Sequence, residues 1–336
     1  MQKENKNRVL VIDALNMYFR SYIVDPSLST NGQPIGGVKG FLKILQKLVR
    51  ETKPDEVVVV WDGPGGSRKR KTMNKNYKEG RKPIRLNRGI RTLSEREELE
   101  NKIWQQTRLM EYLNELPVMQ LVLPEVEADD IISQVVQSHH YKGYQKIIVS
   151  SDKDFFQLCD DETVLFRPVQ KEVLNKNNII EKFGIHPTNF ALARAIAGDK
   201  SDNLDGVPGV GLKSLAKRVP LLSTENSYDV ETLVQWCRDE EEKSTLKLFS
   251  SISENEDLIL ENYKIMQLYC PNISVQGKKK VNHTIEAFER QFNKTEFIRM
   301  MNEDGFGVFN WNDLFANMKR VCLTNKGNKD EQKTAD

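Results

Sequence analysis

Four apolar runs in this chain end on acid, and that pattern constrains the fold more than any other feature. Arg8–Ile12 (RVLVI) stops at Asp13 and Val57–Trp61 (VVVVW) at Asp62. Val118–Val122 precedes Glu127, Asp129 and Asp130, and Lys146–Ser150 (KIIVS) precedes Asp152 and Asp154. Short β-rich runs of this kind read as buried strands. Between them lie helical spacings, Phe41, Leu42, Leu45, Leu48 and Val49 after the first run, then Leu99, Ile103, Met110, Leu113 and Leu116 behind a Ser94–Glu97 capping box. Strands alternating with helices specify an α/β fold with a parallel sheet covered on both faces. Ligands of such sheets bind beyond the carboxyl ends of the strands. A parallel sheet would therefore gather all of these acids on one rim.

A cluster built only from Asp and Glu offers hard oxygen donors. It suits Mg²⁺ or Mn²⁺ better than Zn²⁺, which favours His and Cys. None of His139, His140, His186 and His283 falls within a cluster. Two divalent ions would offset about four negative charges and could activate water in phosphodiester cleavage. Each acid alone has a plainer reading. Asp129 and Asp130 could favour a helix start through the macrodipole, Asp13 and Asp62 could be loop residues, and Asp152 and Asp154 could cap a short helix near Phe155. Four strand ends all carrying acid are hard to obtain from capping alone.

Residues 68–91 hold eleven Lys and Arg, including Arg68, Lys69, Arg70, Lys71, Lys78, Arg81 and Lys82, against the single acid Glu79, although the whole chain is only +2. Such a block is a solvated linker or a polyanion-binding element. Tyr77 among the cations suggests a ring on which a base can stack while Lys78 and Arg81 meet phosphates. Downstream, Gly206–Ser214 (GVPGVGLKS) misses the nucleotide P-loop by one residue, because Leu212 separates Gly211 from Lys213. A helix–hairpin–helix turn fits better, with Gly206, Gly209 and Gly211 letting backbone N–H groups approach a DNA phosphate and Lys213 beside them. A plain helix–helix turn is its simpler reading.

At 336 residues the chain can bury a sizeable core. No apolar run is long enough to span a membrane, and four scattered cysteines suggest reduced thiols in a cytoplasmic protein. The expected organisation is an α/β core over 1–180 with a basic arch at about 63–93, a helical DNA-binding region over 181–325, and a disordered polar tail over 326–336.

Together the motifs resemble the 5′-nuclease superfamily, which includes flap endonucleases, the 5′-nuclease domain of bacterial type-I DNA polymerases and phage 5′→3′ exonucleases of the RNase H type. The resemblance is nearest to the phage enzymes and covers roughly residues 8–220. It rests on Asp13, Trp61-Asp62-Gly63, Tyr77-Lys78 with Arg81, Glu127-Ala128-Asp129-Asp130, Ser151 to Phe155, Gly198 to Asn203, and the turn at 206–211. It implies a PIN-like core and a two-metal nuclease. Asp13, Asp62, Glu127 and Asp129, with Asp130, would form the first metal site. Asp152, Asp154 and Asp202, with Asp199, would form the second. Lys78 and Arg81 would contact the scissile phosphate from an arch, and the turn would hold duplex and bind K⁺. The implied substrates are DNA and RNA–DNA hybrids with 5′ ends or flaps, cut by a monomer that removes RNA primers in phage replication. A single-strand-binding protein or a sliding clamp is the kind of partner implied. A catalytically silent nucleic-acid binder is the competing reading. An aspartyl-nucleophile phosphatase is disfavoured because Asp13-Ala14-Leu15 lacks its Asp-x-Asp. Alanine and leucine here also depart from the glycine that many relatives carry after this aspartate.

Overall fold

Alternate side chains of the first strand enter different cores, which is what a sheet covered on both faces requires. Val9 and Val11 pack with Val58, Val60 and Ile148 on one face. Leu10 and Ile12 pack with Val57, Val59, Trp61 and Val149 on the other. The protein is described by a computed structural model covering residues 6–90 and 92–332. Residues 1–5, Arg91 of the basic block and the last four residues lie outside the described residues.

Six strands form one sheet: β1 (Arg8–Asp13), β2 (Glu56–Val60), β3 (Met119–Leu121), β4 (Gln145–Val149), β5 (Thr163–Arg167) and β6 (Glu172–Leu174). Their spatial order is β3-β2-β1-β4-β5-β6. The first five are mutually parallel and β6 returns antiparallel on β5. The four strands expected from the sequence are present. β5 and β6 carry no comparable signal in the sequence, since TVLFR alternates buried and half-buried positions and EVL is only three residues long.

Helices α1 (Ala14–Val24), α2 (Gly36–Thr52), α3 (Arg68–Met73), α4 (Glu95–Asn114), α5 (Ala128–Val136), α6 (Lys176–Phe183), α7 (Phe190–Ala197) and α8 (Leu212–Arg218) follow in chain order. Then come α9 (Val230–Glu241), α10 (Lys247–Glu254), α11 (Glu256–Met266), α12 (Val275–Ala287), α13 (Lys294–Glu303) and α14 (Trp311–Gln332). α14 remains helical through part of the segment expected to be a polar tail. α4 opens on the expected capping box, with Ser94 and Glu97 bonding reciprocally. Its inner face departs from the apolar spacing. Leu99 and Ile103 are 50% and 55% exposed. Asn101 and Gln105 are buried instead, because Asn101 donates to the Pro34 carbonyl at 3.0 Å and Gln105 accepts from the Val38 N–H at 3.2 Å. Polar pairing to Pro34 before α2 and to Val38 in its first turn thus sets which side of α4 faces inward. Only from Leu109 onward does an apolar face take over.

The helices after β6 divide between the two sheet faces. Residues of α6 to α12 join the core that holds Val9 and Val11. α13 and α14 close the opposite core with Phe297, Met301, Leu314, Phe315 and Met318. No helix is long and apolar enough to cross a membrane among the described residues.

Candidate active site

Register brings the acids to one rim. Asp13 ends β1 level with Val60 of β2, and Ile12 is level with Val149 of β4. Asp62 and Asp152 therefore follow within two or three residues of the same level. Asp13 is pinned there by local bonds: one oxygen accepts from the Asn16 N–H at 3.1 Å and the other from Ser150 Oγ at 2.9 Å. Asp62 accepts from the Ala128 N–H at 3.0 Å, tying the second strand end to the start of α5.

Asp152 joins two acid groups. Burial is the main cause that raises Asp13, Asp129, Asp154 and Asp202, and the charge of Asp152 adds to it in each. On the β5 side, Asp154, Asp199 and Asp202 have carboxylate oxygens all within 4.8 Å of one another. On the β2 side, Asp13, Asp62, Glu127 and Asp129 form the wider half and do not close to that spacing. Loss of water, then the charge of Asp62, push Asp13 up to about 7. Loss of water and Asp152 push Asp154 up to about 7, with Arg194 acting in the opposite direction. Asp129 lies well above the usual carboxylate range, from loss of water and then from Asp152 and Asp13. Crowded acids with raised pKa values are the electrostatic signature of a site poised for cations.

The basic segment reaches directly into this rim. Lys78 Nζ donates to Glu127 Oε1 at 2.8 Å, and its backbone N–H donates to the Asp202 carbonyl at 2.8 Å. Arg81 pairs with the Asp202 carboxylate and donates through Nε to the Ser201 carbonyl at 3.1 Å. Burial opposes the charge on Glu127, but Arg70 and Lys78 outweigh it and hold the group below its usual range.

Three of the expected site residues lie in other surroundings. Asp130 does not join the acid cluster, for one oxygen accepts from Arg70 at 2.8 Å and the other from the Asn272 N–H at 2.7 Å. Arg70 is buried between Glu127 and Asp130 and donates to the Ile265 carbonyl, so it braces the site from within. Tyr77 is 2% exposed, packs with Leu204, Ile265 and Met266, and donates its hydroxyl to Glu127 at 3.1 Å. Its ring offers no face for a base. Arg68, Lys71 and Lys82 are exposed as expected, although Arg68 is paired with Glu125, and the half-buried Lys69 reaches the Asn272 carbonyl at 3.4 Å.

One site residue escaped the sequence reading. Arg194 of α7 is buried and bonds Asp154 at 3.2 Å while pairing with Asp199. The signal was an arginine inside the apolar run FALARAIA, where a cation must find a buried partner.

Beyond Asp202 the chain turns between α7 and α8. Gly209 has φ +76, which favours glycine, and a Cβ at Gly209 or Gly211 would meet open space. Asn262 of α11, fully buried, donates to the carbonyls of Ala195 and Asp205 and fixes the entry to this turn. Gly206 backs closely on Ala197, and Lys213 is exposed at the start of α8.

A sequence model described as 5′-3′ exonuclease, N-terminal resolvase-like domain matches residues 8–184, from β1 to the end of α6. The chain belongs to the 5′-3′ exonuclease family. A 5′-3′ exonuclease of Aquifex aeolicus is 31% identical over 264 residues, covering 77% of this chain and 81% of the relative. The thermostable DNA polymerase I of Thermus aquaticus is 32% identical over 215 residues, 64% of this chain and 24% of the polymerase. In structure, the bacteriophage T5 flap endonuclease, solved with DNA and metal ions, superposes with a TM-score of 0.65 at 16% identity, covering 88% of this chain and all of that one. That likeness concerns the fold, which is the PIN-like α/β core of 5′ nucleases. As a member of the 5′-3′ exonuclease family the protein is a nuclease, and the acid rim with Lys78 and Arg81 is its candidate catalytic centre.

Proposed function

We propose that this nuclease is a Mg²⁺-dependent 5′→3′ exonuclease and flap endonuclease that cuts near the 5′ ends of DNA and of RNA paired to DNA. The observation that carries the reading is the convergence of acids from four strand ends and from the loop at 199–202, with Lys78 and Arg81 seated among them. The donor set consists of carboxylate oxygens alone, which fits Mg²⁺ or Mn²⁺. Asp13, Asp62, Glu127 and Asp129 would hold one ion, and Asp152, Asp154, Asp199 and Asp202 a second. When bound, such ions supply Lewis-acid stabilisation and a more acidic water.

The chain's own residues supply positioning. Ser150 and Asn16 fix the orientation of Asp13. Arg70 and Tyr77 hold Glu127 from behind, leaving its Oε1 to Lys78. Lys78 and Arg81 are the two cations able to leave their carboxylates for a phosphate, Arg81 being half exposed and Lys78 only partly buried. They orient the scissile phosphodiester against the rim and offset charge as it develops. The open glycines at 209 and 211, with Lys213, suit a helix–hairpin–helix contact to duplex phosphate, with K⁺ as a candidate ion there. RNA-primer removal in phage replication is the biological task that fits this substrate range.

Incubation of a labelled 5′-flap duplex with Mg²⁺ and with EDTA tests the reading. Metal-dependent release of 5′ products is expected, on RNA-tipped as well as DNA-tipped flaps. Intact substrate in Mg²⁺ with retained binding would favour a silent binder instead.

A further inference from the structure

Lys78 stands where a lysine is seldom found. It is the third residue of the turn Asn76–Glu79, which the Glu79 N–H closes by donating to the Asn76 carbonyl at 2.9 Å, and its φ is +58. Third positions with positive φ are usually filled by glycine or asparagine, because a Cβ crowds the following carbonyl there. Such a conformation persists only where its surroundings impose it. Here the loop at 199–204 imposes it. That loop is itself closed: Asp199 and Leu204 exchange both backbone bonds at 2.8 Å, and Ser201 donates to one Asp199 oxygen through its N–H at 2.8 Å and its hydroxyl at 2.7 Å. Leu204 is buried with Tyr77, so loop and turn share an apolar anchor.

Two bonds reach from this loop to the backbone of the turn. The Asp202 carbonyl accepts from the Lys78 N–H at 2.8 Å, and Asn203 Nδ2 donates to the Asn76 carbonyl at 2.9 Å. The Asn76 carbonyl therefore takes two bonds, one closing the turn and one tying it to the loop, as its two lone pairs allow. Asn203 has φ +57, in the left-handed region that asparagine tolerates better than most residues. It is exposed and belongs to none of the apolar cores, so little of the fold rests on it. Its bond acts on where two cations point. Lys78 reaches Glu127 from within the turn, and Arg81, just beyond it, pairs with Asp202 and donates to the Ser201 carbonyl of the same loop. A turn free to relax to negative φ would redirect the Cα–Cβ bond of Lys78 and carry its ammonium away from the rim.

We infer that Asn203 is a positioning residue for the nuclease reaction: through its bond to the Asn76 carbonyl it holds the Asn76–Glu79 turn in the conformation that sets Lys78 on the acid rim. The inference rests on the nuclease reading and adds to it a residue that acts through Lys78. The variant that isolates the bond is Asn203→Gly, because glycine keeps the left-handed backbone of the loop and removes only the amide. Its melting temperature is expected to match wild type. Amide hydrogen exchange of the metal-free protein, read on peptides spanning 76–79, is expected to be faster in the variant and unchanged in the sheet. On a 5′-overhang duplex, the single-turnover rate in Mg²⁺ is expected to fall roughly tenfold, the scale of a catalytic group displaced but not removed, while affinity measured in EDTA stays as in wild type. In a Lys78→Ala background the same substitution is expected to add little further loss, since residues acting as one unit are not additive. A full tenfold loss on top of Lys78→Ala, an unchanged rate, unchanged exchange over 76–79, or equal losses in rate and affinity would each overturn the inference. A wild type that cut nothing would instead bring down the nuclease reading, whereas a cutting wild type matched in rate by Asn203→Gly would overturn this assignment alone.

Discussion

Lys78 donates to Glu127 at 2.8 Å, joining the basic segment to the acid rim across 49 residues of chain. The backbone at Lys78 is left-handed, with φ +58, a conformation that non-glycine residues adopt uncommonly. The neighbouring contacts hold it there. The Lys78 N–H donates to the Asp202 carbonyl, and Asn203 donates to the Asn76 carbonyl at 2.9 Å.

Lys78→Ala and Arg81→Ala are therefore expected to slow cleavage more than they weaken duplex affinity. The predicted loss in single-turnover rate is about 10²-fold or more for each, the scale of removing one charge-stabilising group. Equal losses in rate and affinity would reduce both residues to binding.

Neighbouring acids are predicted to behave in opposite ways. Asp129→Asn removes a crowded carboxylate and is expected to abolish most turnover while leaving the metal-free fold as stable or more so. Asp130→Asn breaks the pair with Arg70, leaving a buried cation short of a partner, and is expected to cost about 3 kcal/mol or more of stability. Denaturant unfolding alongside Mn²⁺ titration separates the two. A stable Asp130→Asn protein that has lost metal binding would return Asp130 to the site.

Arg194→Ala leaves Asp154 and Asp199 facing each other without their shared cation. The metal-free variant is expected to melt several degrees below wild type, and saturating Mn²⁺ to recover much of the difference. Arg194→Lys, which keeps the charge but not the fork, is expected to fall between them. A variant indistinguishable from wild type without metal would deny Arg194 this part.

The raised acids set a pH dependence. Asp13 and Asp154, pushed up to about 7, bind protons more tightly when folded than unfolded. Stability of the metal-free protein therefore falls as pH climbs from the ordinary aspartate value near 3.8 towards 7. His140, raised by its bond to Glu56, acts in the same direction. Glu127 and Asp199 are lowered, so their stabilisation is present above their unfolded values and is lost only in more acidic solution. Mn²⁺ displaces the rim protons, so its stabilising effect is predicted to be larger at pH 8 than at pH 5 in thermal melts. A larger effect at pH 5 would contradict this assignment.

Much of this arrangement was legible in the sequence because it follows from strand direction. A run such as VVVVW ending at Asp62 states both a buried strand and an acid at its carboxyl end, and parallel pairing does the rest. What stayed hidden depended on partners distant in sequence. Tyr77 looks like a stacking ring until Leu204, Ile265 and Met266 close over it. Arg70 looks like any other cation of its block until Glu127 and Asp130 enclose it. Leu99 and Ile103 keep a helical spacing yet face outward, because Asn101, donating to the Pro34 carbonyl, and Gln105, accepting from the Val38 N–H, orient α4.

The most direct test of the central claim is an anomalous diffraction map from crystals soaked in Mn²⁺. The account predicts manganese peaks at the rim, one among Asp13, Asp62, Glu127 and Asp129, and another among Asp152, Asp154, Asp199 and Asp202. A rim without peaks, or manganese held only elsewhere on the surface, would contradict it.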